Sequence, residues 1–363
     1  MAFPKNGVVE APKIVPSAFG ILAVVDVSDS KSEDAWVRGF SQEWETDLHT
    51  LMTVDDTDLH ETTLAGTGNV NYYDEVKPFF VEVQEDRSTL GFLGIDRIAR
   101  IKRQCEATSQ RAIEEELWDG AIRIPAGHGN AALTSSSVNI LDGAGLSARR
   151  ALAVLEHGIA RASHAGEQGV IHATRDIVAV LSSNSNMLFH EKVKDHLQTM
   201  GGTPVVVGSG YTGNGPRITV LSASISSNIL TLNTAGSHYL QAGDYIKFSA
   251  VGANVNAENL DGDATVASVV DSNTITVAFS GGNQANETVT GFVQMMATNT
   301  DKWIYGTGTV KVYLGEVDVV NDKLGQAYDV AGNQNDMRLK AIRPAAAYFD
   351  PSIHLAVRVD LTA

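Results

Sequence analysis

Between Arg217 and about Met296 the sequence changes style and then changes back, and this constrains the fold more than any other feature. Within that stretch Ser, Thr, Asn and Gly dominate, and short alternating strands recur at Ile218–Leu221, Ile229–Leu232, Tyr245–Phe248, Ala264–Val270 and Thr274–Phe279. Its basic residues are Arg217 and Lys247 against six acids. On both sides the text is of mixed helix and strand type, resuming at Trp303-Ile-Tyr-Gly-Thr-Gly-Thr-Val-Lys-Val-Tyr313. An all-β module with its own turns therefore interrupts an αβ domain rather than following it.

The first 27 residues hold three of the nine prolines and the apolar run Gly20–Val25, and read as an extended arm. Ser30-Lys-Ser-Glu33 has capping-box spacing, and Trp36, Phe40, Trp44 and Leu48 recur every four residues, which predicts a helix; a β alternative over Phe40–Thr46 stands beside it. From Asp55 to Phe92 turn signals at Gly66–Asn69 lead into Val76-Lys-Pro-Phe-Phe-Val-Glu-Val83, which reads as a long two-stranded excursion with no apolar partner of its own. The clearest helix runs from about Asp96 to Trp118, about 35 Å long, with Ile98, Ile101, Cys105, Thr108, Ala112 and Leu117 along one side. Arg97, Arg100, Lys102 and Arg103 crowd its first half and Glu114, Glu115, Glu116 and Asp119 its last, the reverse of what a helix dipole favours. Three readings compete for those charges: a solvated face, ion pairs to other chains, and contact with nucleic acid.

Further along, Ala148, Leu152, Leu155 and Ile159 predict a helix from Ser147, followed by the strand Gly169–Ala173 and a helix capped by Thr174 through Leu181. Phe189, Val193 and Leu197 predict another helix that stops at Gly201-Gly202, and Val205–Val207 a short buried strand.

At 363 residues, with 43% hydrophobic and 19% charged residues, the chain is long enough for two or three cores. It contains no run of about 18 apolar residues, and the start Met-Ala-Phe-Pro-Lys-Asn lacks the apolar core of a signal peptide. A single cysteine, Cys105, excludes an internal disulfide framework and any multi-cysteine zinc site. The formal charge of −16 argues against affinity gained by neutralising phosphates.

Gly208-Ser-Gly210-Tyr-Thr-Gly213 matches phosphate-cradling spacing, but Asn214-Gly215-Pro216 and β-type sequence follow, so no helix N-terminus stands behind it. A tight loop is the expectation, with a nucleotide-dependent enzyme as the opposing class. The ten histidines contain no metal-binding helical pair; His190 and His196, six apart, would face different sides of a helix. No P-loop and no nucleophile elbow occur, and Asn286-Glu-Thr288 has meaning only in a secreted protein. The expectation is no catalytic residue, no cofactor and no metal.

Several stretches together resemble the major capsid proteins of tailed double-stranded DNA bacteriophages, the HK97-like family, above all those of actinobacterial phages. They are Gln110-Arg-Ala-Ile-Glu-Glu-Glu-Leu-Trp-Asp-Gly120, Leu146-Ser-Ala-Arg-Arg-Ala-Leu152, Gly169-Val-Ile-His-Ala-Thr174, Gly202–Gly213, Trp303-Ile-Tyr-Gly-Thr-Gly308 and the tail Arg343–Leu361. None is specific alone; their order and spacing over nearly the whole chain carry the resemblance. It implies an α+β, HK97-like fold: an arm and lead-in over 1–54, an extended hairpin over 55–94, a peripheral domain of 95–125 plus 335–363 with the long helix as its spine, and an axial domain of 126–216 plus 297–334. The chain departs from the simple pattern at 217–296, where His238–Phe248 and Ala264–Val277 look like small β-barrel modules of phage virion proteins, expected on the outer face. No charged helical leader precedes the arm, so either a separate scaffolding protein or prior removal of a leader is expected.

The resemblance implies hexamers and pentamers in an icosahedral shell that encloses DNA without reading its sequence, with scaffolding, portal and decoration proteins as further partners and no membrane. It places the protein in the virion, assembled in the host bacterial cytoplasm. Arm and hairpin then gain their burial from neighbouring copies, a single stable interface needing about 800 Å² per partner. The candidate intersubunit residues are Val76, Lys77, Phe79, Phe80, Val81, Arg97, Arg100 and Arg103. The alternative within the same fold is an encapsulin-type nanocompartment shell, and glycan binding by the β module is compatible with its polar composition.

Overall fold

The computed structural model describes residues 17–29, 36, 40–44, 72–88, 97–120, 130–162, 169–183, 188–191, 196–252, 260–280, 283–322 and 336–363. The arm before residue 17, the turn signals at 66–69 and the stretches 45–71 and 89–96 lie outside them. The described residues form three large β assemblies, one two-stranded pair and four helices, one of them long.

The first assembly is a five-stranded sheet built around one long strand. In chain order its members are β1 (Asp26–Asp29), β4 (Phe79–Ser88), β17 (Val310–Leu314), β18 (Asp318–Asp322) and β19 (Asp336–Phe349). β19 pairs β4 along one side and both β17 and β18 along the other, and β1 adds to β17 in parallel. The helix α2 (Arg97–Asp119), preceded in the chain by the single turn α1 (Ile21–Val24), packs Ile101 and Cys105 against Leu339 and Ala341 of β19. It ends at Gly120, whose φ of +60° and N–H bond to the Glu116 carbonyl close its last turn.

The second assembly is a seven-stranded mixed sheet. Its order is β5 (Asn139–Ser147), β20 (His354–Asp360), β16 (Asp301–Thr307), β6 (Val170–Ala173), β9 (Pro204–Val207), β8 (His196–Thr199) and β7 (Leu188–Glu191). Helices α3 (Ala148–Ala162) and α4 (Arg175–Ser183) bury Leu152, Leu155, Ile159, Ile177 and Leu181 on one face, against Ile171, Val205, Ile304 and Val357. The other face meets Trp118, Leu133 and Tyr211 through Tyr305, Val206 and Ala356. Covered on both sides, β6 and β9 are buried at every position, which explains the unbroken apolar text of β9 and leaves His172 as the one polar residue of β6.

The third assembly is a closed six-stranded barrel: β10 (Arg217–Ser226), β11 (Ile229–Thr234), β14 (Thr274–Ala278), β13 (Leu260–Asp271), β12 (Tyr245–Gly252) and β15 (Gln284–Met295). Val220, Ile225, Leu230, Leu232, Ile246, Phe248, Ile275, Val277 and Val293 fill its interior. Ser227 and Asn228, at φ +53° and +62°, make the two-residue turn between β10 and β11, a conformation matching strand twist. The β text of 217–296 is thus one barrel entered and left through the paired residues Arg217 and Gln294.

Three sequence expectations meet the structure differently. Trp36 has helical backbone, and of the two readings for Phe40–Trp44 the strand is the one found: β2, paired with β3 (Tyr72–Val76). The segment 76–83 is not without an apolar home, because β3 ends at Val76 and β4 finds its partner in β19. The helix expected over Phe189–Leu197 is the antiparallel pair β7 and β8, with Glu191 opposite His196. β16 and β20 lie in the seven-stranded sheet, whereas β17 and β18 lie in the sheet under α2.

Candidate functional site

The candidate intersubunit residues separate by burial. Val76, Phe79 and Val81 are 3%, 3% and 6% exposed and belong to the chain's own core, which removes them from any contact surface. Lys77 is held by its backbone: its N–H donates to Asn130 Oδ1 and its carbonyl accepts from Asn130 Nδ2, both at 2.8 Å. Phe80, between two buried neighbours, is 59% exposed. Arg97 begins α2, Arg100 is half-buried and Arg103 exposed on it, beside Ile98 at 53% exposure.

Phe80 belongs to a surface that spacing alone did not disclose. The pleat sends Val83 of β4, Ala341 of β19 and Val319 of β18 toward α2. The residues between them face the opposite way: Phe80 opposite Pro344, Glu82 opposite Ile342 and Asp318, Gln84 opposite Lys340 and Val320. Phe80 and Val320 are exposed there, Ile342 and Pro344 half-buried, and a Lys340–Glu82 ion pair of 3.0 Å crosses the middle. The register of three strands assembles this apolar and charged mosaic, and it is readable only once β4 is known to pair with β19.

Acids at the end of α2 have an intramolecular role. Glu114 is fully buried, and its carboxylate accepts from the Ile21 N–H (3.1 Å), Gln110 Nε2 (2.9 Å), the Ser209 N–H (2.6 Å), Ser209 Oγ (3.0 Å) and the Gly210 N–H (2.9 Å). The glycine-rich loop thus cradles an anion, and that anion is the protein's own carboxylate. Gly210 is required because a Cβ there would lie 2.5 Å from the Arg111 carbonyl oxygen, and Gly213 because its φ is +81°. With those donors taken, the phosphate-cradle reading of Gly208–Gly213 loses its chemistry. Glu116 is buried too, so the solvated-face reading fails at both positions, while Glu115 pairs with Arg111 one turn earlier. Burial raises the Asp119 carboxyl above the usual carboxylate range, opposed by a hydrogen bond from Thr212.

His172 and His354 behave as core residues. His172 sits between the Tyr211 hydroxyl (2.8 Å) and the Thr307 hydroxyl (3.0 Å), and burial, with His354 nearby, lowers its pKa to about 3. His354 bonds the Leu133 carbonyl through Nε2 at 2.9 Å and is lowered to about 4 by burial. Thr174 does not cap α4 by accepting a backbone N–H; its hydroxyl donates to Asp176, whose carboxylate accepts the Ile177 N–H. Among the described residues no group of three or more His, Cys, Asp or Glu side chains is placed to hold a metal ion, and no helix is long and apolar enough to cross a membrane.

The architecture has counterparts among solved structures. The chain shares its fold with a chain from the capsid of an empty GTA particle, with a TM-score of 0.50 at 8% identity over 99% of this chain and 95% of that one. Structures of Gordonia phage Cozz and Microbacterium phage Oxtober96 align over 99% of this chain and 92% and 95% of theirs, each at 10% identity and a TM-score of 0.46. No protein-family model and no curated protein matches the sequence. The fold is therefore that of a capsid chain, mixed α and β.

Proposed function

We propose that the chain is a structural shell subunit, the major capsid protein of a tailed bacteriophage, copies of which form hexamers and pentamers of an icosahedral head around double-stranded DNA. The observation that carries this reading is the fold shared with the GTA capsid chain over 99% of the length. In HK97-like terms, the five-stranded sheet with α2 corresponds to the peripheral domain, the seven-stranded sheet with α3 and α4 to the axial domain, and the β2–β3 pair to the base of the extended hairpin. The barrel is then an inserted domain on the outer face. Scaffolding, portal and decoration proteins are the partners this role calls for, in a virion assembled in the host cytoplasm.

The intersubunit surface we assign is the sheet face carrying Phe80, Ile342, Pro344 and Val320, the face turned away from α2. Removing Val76–Val83 would not test this, because that deletion takes out a core strand. Phe80→Asp is the sharper probe. Electron microscopy of the expressed wild-type chain should show closed shells, and the variant should give subunits of unchanged circular dichroism and thermal midpoint that form none. Normal shells from the variant would remove Phe80 from the contact. A wild-type chain that stays monomeric at high concentration, with or without a scaffolding partner, or shells filled with an enzyme cargo instead of DNA, would overturn the phage reading.

A further inference from the structure

The barrel is joined to the body twice. Its root is covalent: β10 and β15 enter and leave side by side, the Gly215 N–H bonds the Met295 carbonyl at 2.9 Å, and Met295 lies against Trp303. Its second attachment is the loop 235–244 between β11 and β12. That loop moves with the barrel, because the His238 N–H bonds the Ser272 carbonyl, His238 Nε2 the Asp271 carbonyl and the Gly243 N–H the Val266 carbonyl. It touches the body through three side chains. Tyr239 packs over Gly143 of β5, so closely that a Cβ there would lie 2.4 Å from the tyrosine Cβ. Gln241 Nε2 donates to the Ala144 carbonyl at 3.0 Å. Asp244 receives a two-pronged bond from Arg358 of β20, at 2.9 and 2.7 Å, with both residues buried.

Two details set this contact apart from ordinary packing. Tyr239 is held at φ +55°, a conformation a bulky side chain adopts only where its surroundings enforce it. Each charge also has a second partner on its own side of the seam. Arg358 bonds Asp301 of β16 at 3.1 and 3.3 Å, and Asp244 Oδ2 accepts the Gln241 N–H at 2.7 Å. Parting a buried ion pair is ordinarily prohibitive because each charge is stranded. Here Arg358 keeps the Asp301 carboxylate, and Asp244 keeps the hydrogen bond from the Gln241 N–H.

We propose that loop 235–244 and Arg358 form a latch that fixes the barrel against the body. It opens with Arg358 still paired to Asp301 and Asp244 still accepting the Gln241 N–H, leaving the barrel held at its root, where Arg217 bonds the Thr134 carbonyl at 2.7 Å and the Asp119 carbonyl at 2.6 Å. Asp301 is the counter-charge that holds Arg358 in the open state. This inference rests on the seam alone and stands whether or not the chain builds a shell.

Hydrogen exchange followed by mass spectrometry on the purified full-length chain tests it. Asp244→Asn keeps the side chain's shape and an acceptor for Gln241 but removes the charge that engages Arg358. Peptides covering 143–146 and 238–242 should then exchange about ten-fold faster or more, while Leu230, Leu232, Ile275 and Val277 inside the barrel keep wild-type protection. Gly143→Ala, which pushes Tyr239 off its seat and leaves every charge in place, should open the same peptides. Asp301→Asn should leave them closed, because Asp244 still engages Arg358. Unchanged exchange in both Asp244→Asn and Gly143→Ala would overturn the latch. So would loss of protection throughout the barrel, or failure of Asp244→Asn to fold, since the pair would then be holding the fold rather than the orientation.

Discussion

Glu114 gathers five donors from three separate segments onto one buried carboxylate: the end of the arm at Ile21, its own helix at Gln110, and the glycine loop at Ser209 and Gly210. Glu114→Gln keeps the shape but turns an NH2 toward groups that themselves donate. Bonds to a charged acceptor contribute about 1.5–3 kcal/mol each in favourable cases, and the amide retains some of them, so a loss of about 2–4 kcal/mol is expected. Urea unfolding should show it as a lower midpoint at unchanged slope. The two buried histidines make a second, pH-dependent prediction. Their folded pKa values, about 3 and about 4, lie below the ordinary 6.5, so the unfolded chain binds more protons in that window. Their contribution is fully present above pH 6.5 and is lost as pH falls toward 4 and then 3. Unfolding free energy measured at pH 7, 5.5 and 4.5 should decline in that order, and His354→Gln should flatten the decline; an equally steep slope in the variant would show that His354 does not contribute to it.

Among the elements, α2 and the sheet beneath it form the seam on which the surface carrying Phe80 depends. Ile101 is fully buried against β19, and Ile101→Ala should cost about 2–5 kcal/mol with no change in the exposed face. Thermal unfolding of the subunit reads that loss. Helices α2 and α3, strands β6 and β9 and the barrel were legible in the sequence, because each writes its period into consecutive residues. Two helix readings fail for one cause. Trp36, Phe40 and Trp44, like Phe189, Val193 and Leu197, repeat every four residues as one face of a helix does, but Phe40 and Trp44 fall on one strand, and Phe189 and Leu197 on two paired strands. Only pairing separates the two, and β2 and β8 find their partners in β3, β7 and β9. The site was less legible than the fold. Val76, Phe79, Phe80 and Val81 look alike as text; Val76, at the end of β3, is buried with Ala346 and Tyr348, and alternation along β4 against β19 buries Phe79 and Val81 and exposes Phe80. The Glu114 cradle left a trace in the sequence: a glycine-rich loop after a strand needs an anion, and a run of acids at a helix end needs donors. Nothing in the spacing joined the two, which lie 95 residues apart.

For the whole molecule the deciding quantity is charge. Each copy carries a formal −16, from 27 basic and 43 acidic residues, so copies brought edge to edge repel. The proposed contact is an apolar mosaic around Phe80, whose attraction does not weaken as salt rises. The screening length falls from about 30 Å at 0.01 M salt to about 8 Å at 0.15 M and about 3 Å at 1 M, so added salt removes the repulsion first. Assembly of purified subunits, followed by light scattering, should therefore increase from 0.01 to 0.15 M salt and hold or rise further toward 1 M. A contact made chiefly by Arg100 and Arg103 with acids of a neighbour gives the reverse, because salt weakens exposed ion pairs. A fall in assembly with salt would thus move the interface from the sheet face to the first half of α2, and Arg103→Gln, silent under the first outcome, would then abolish shells.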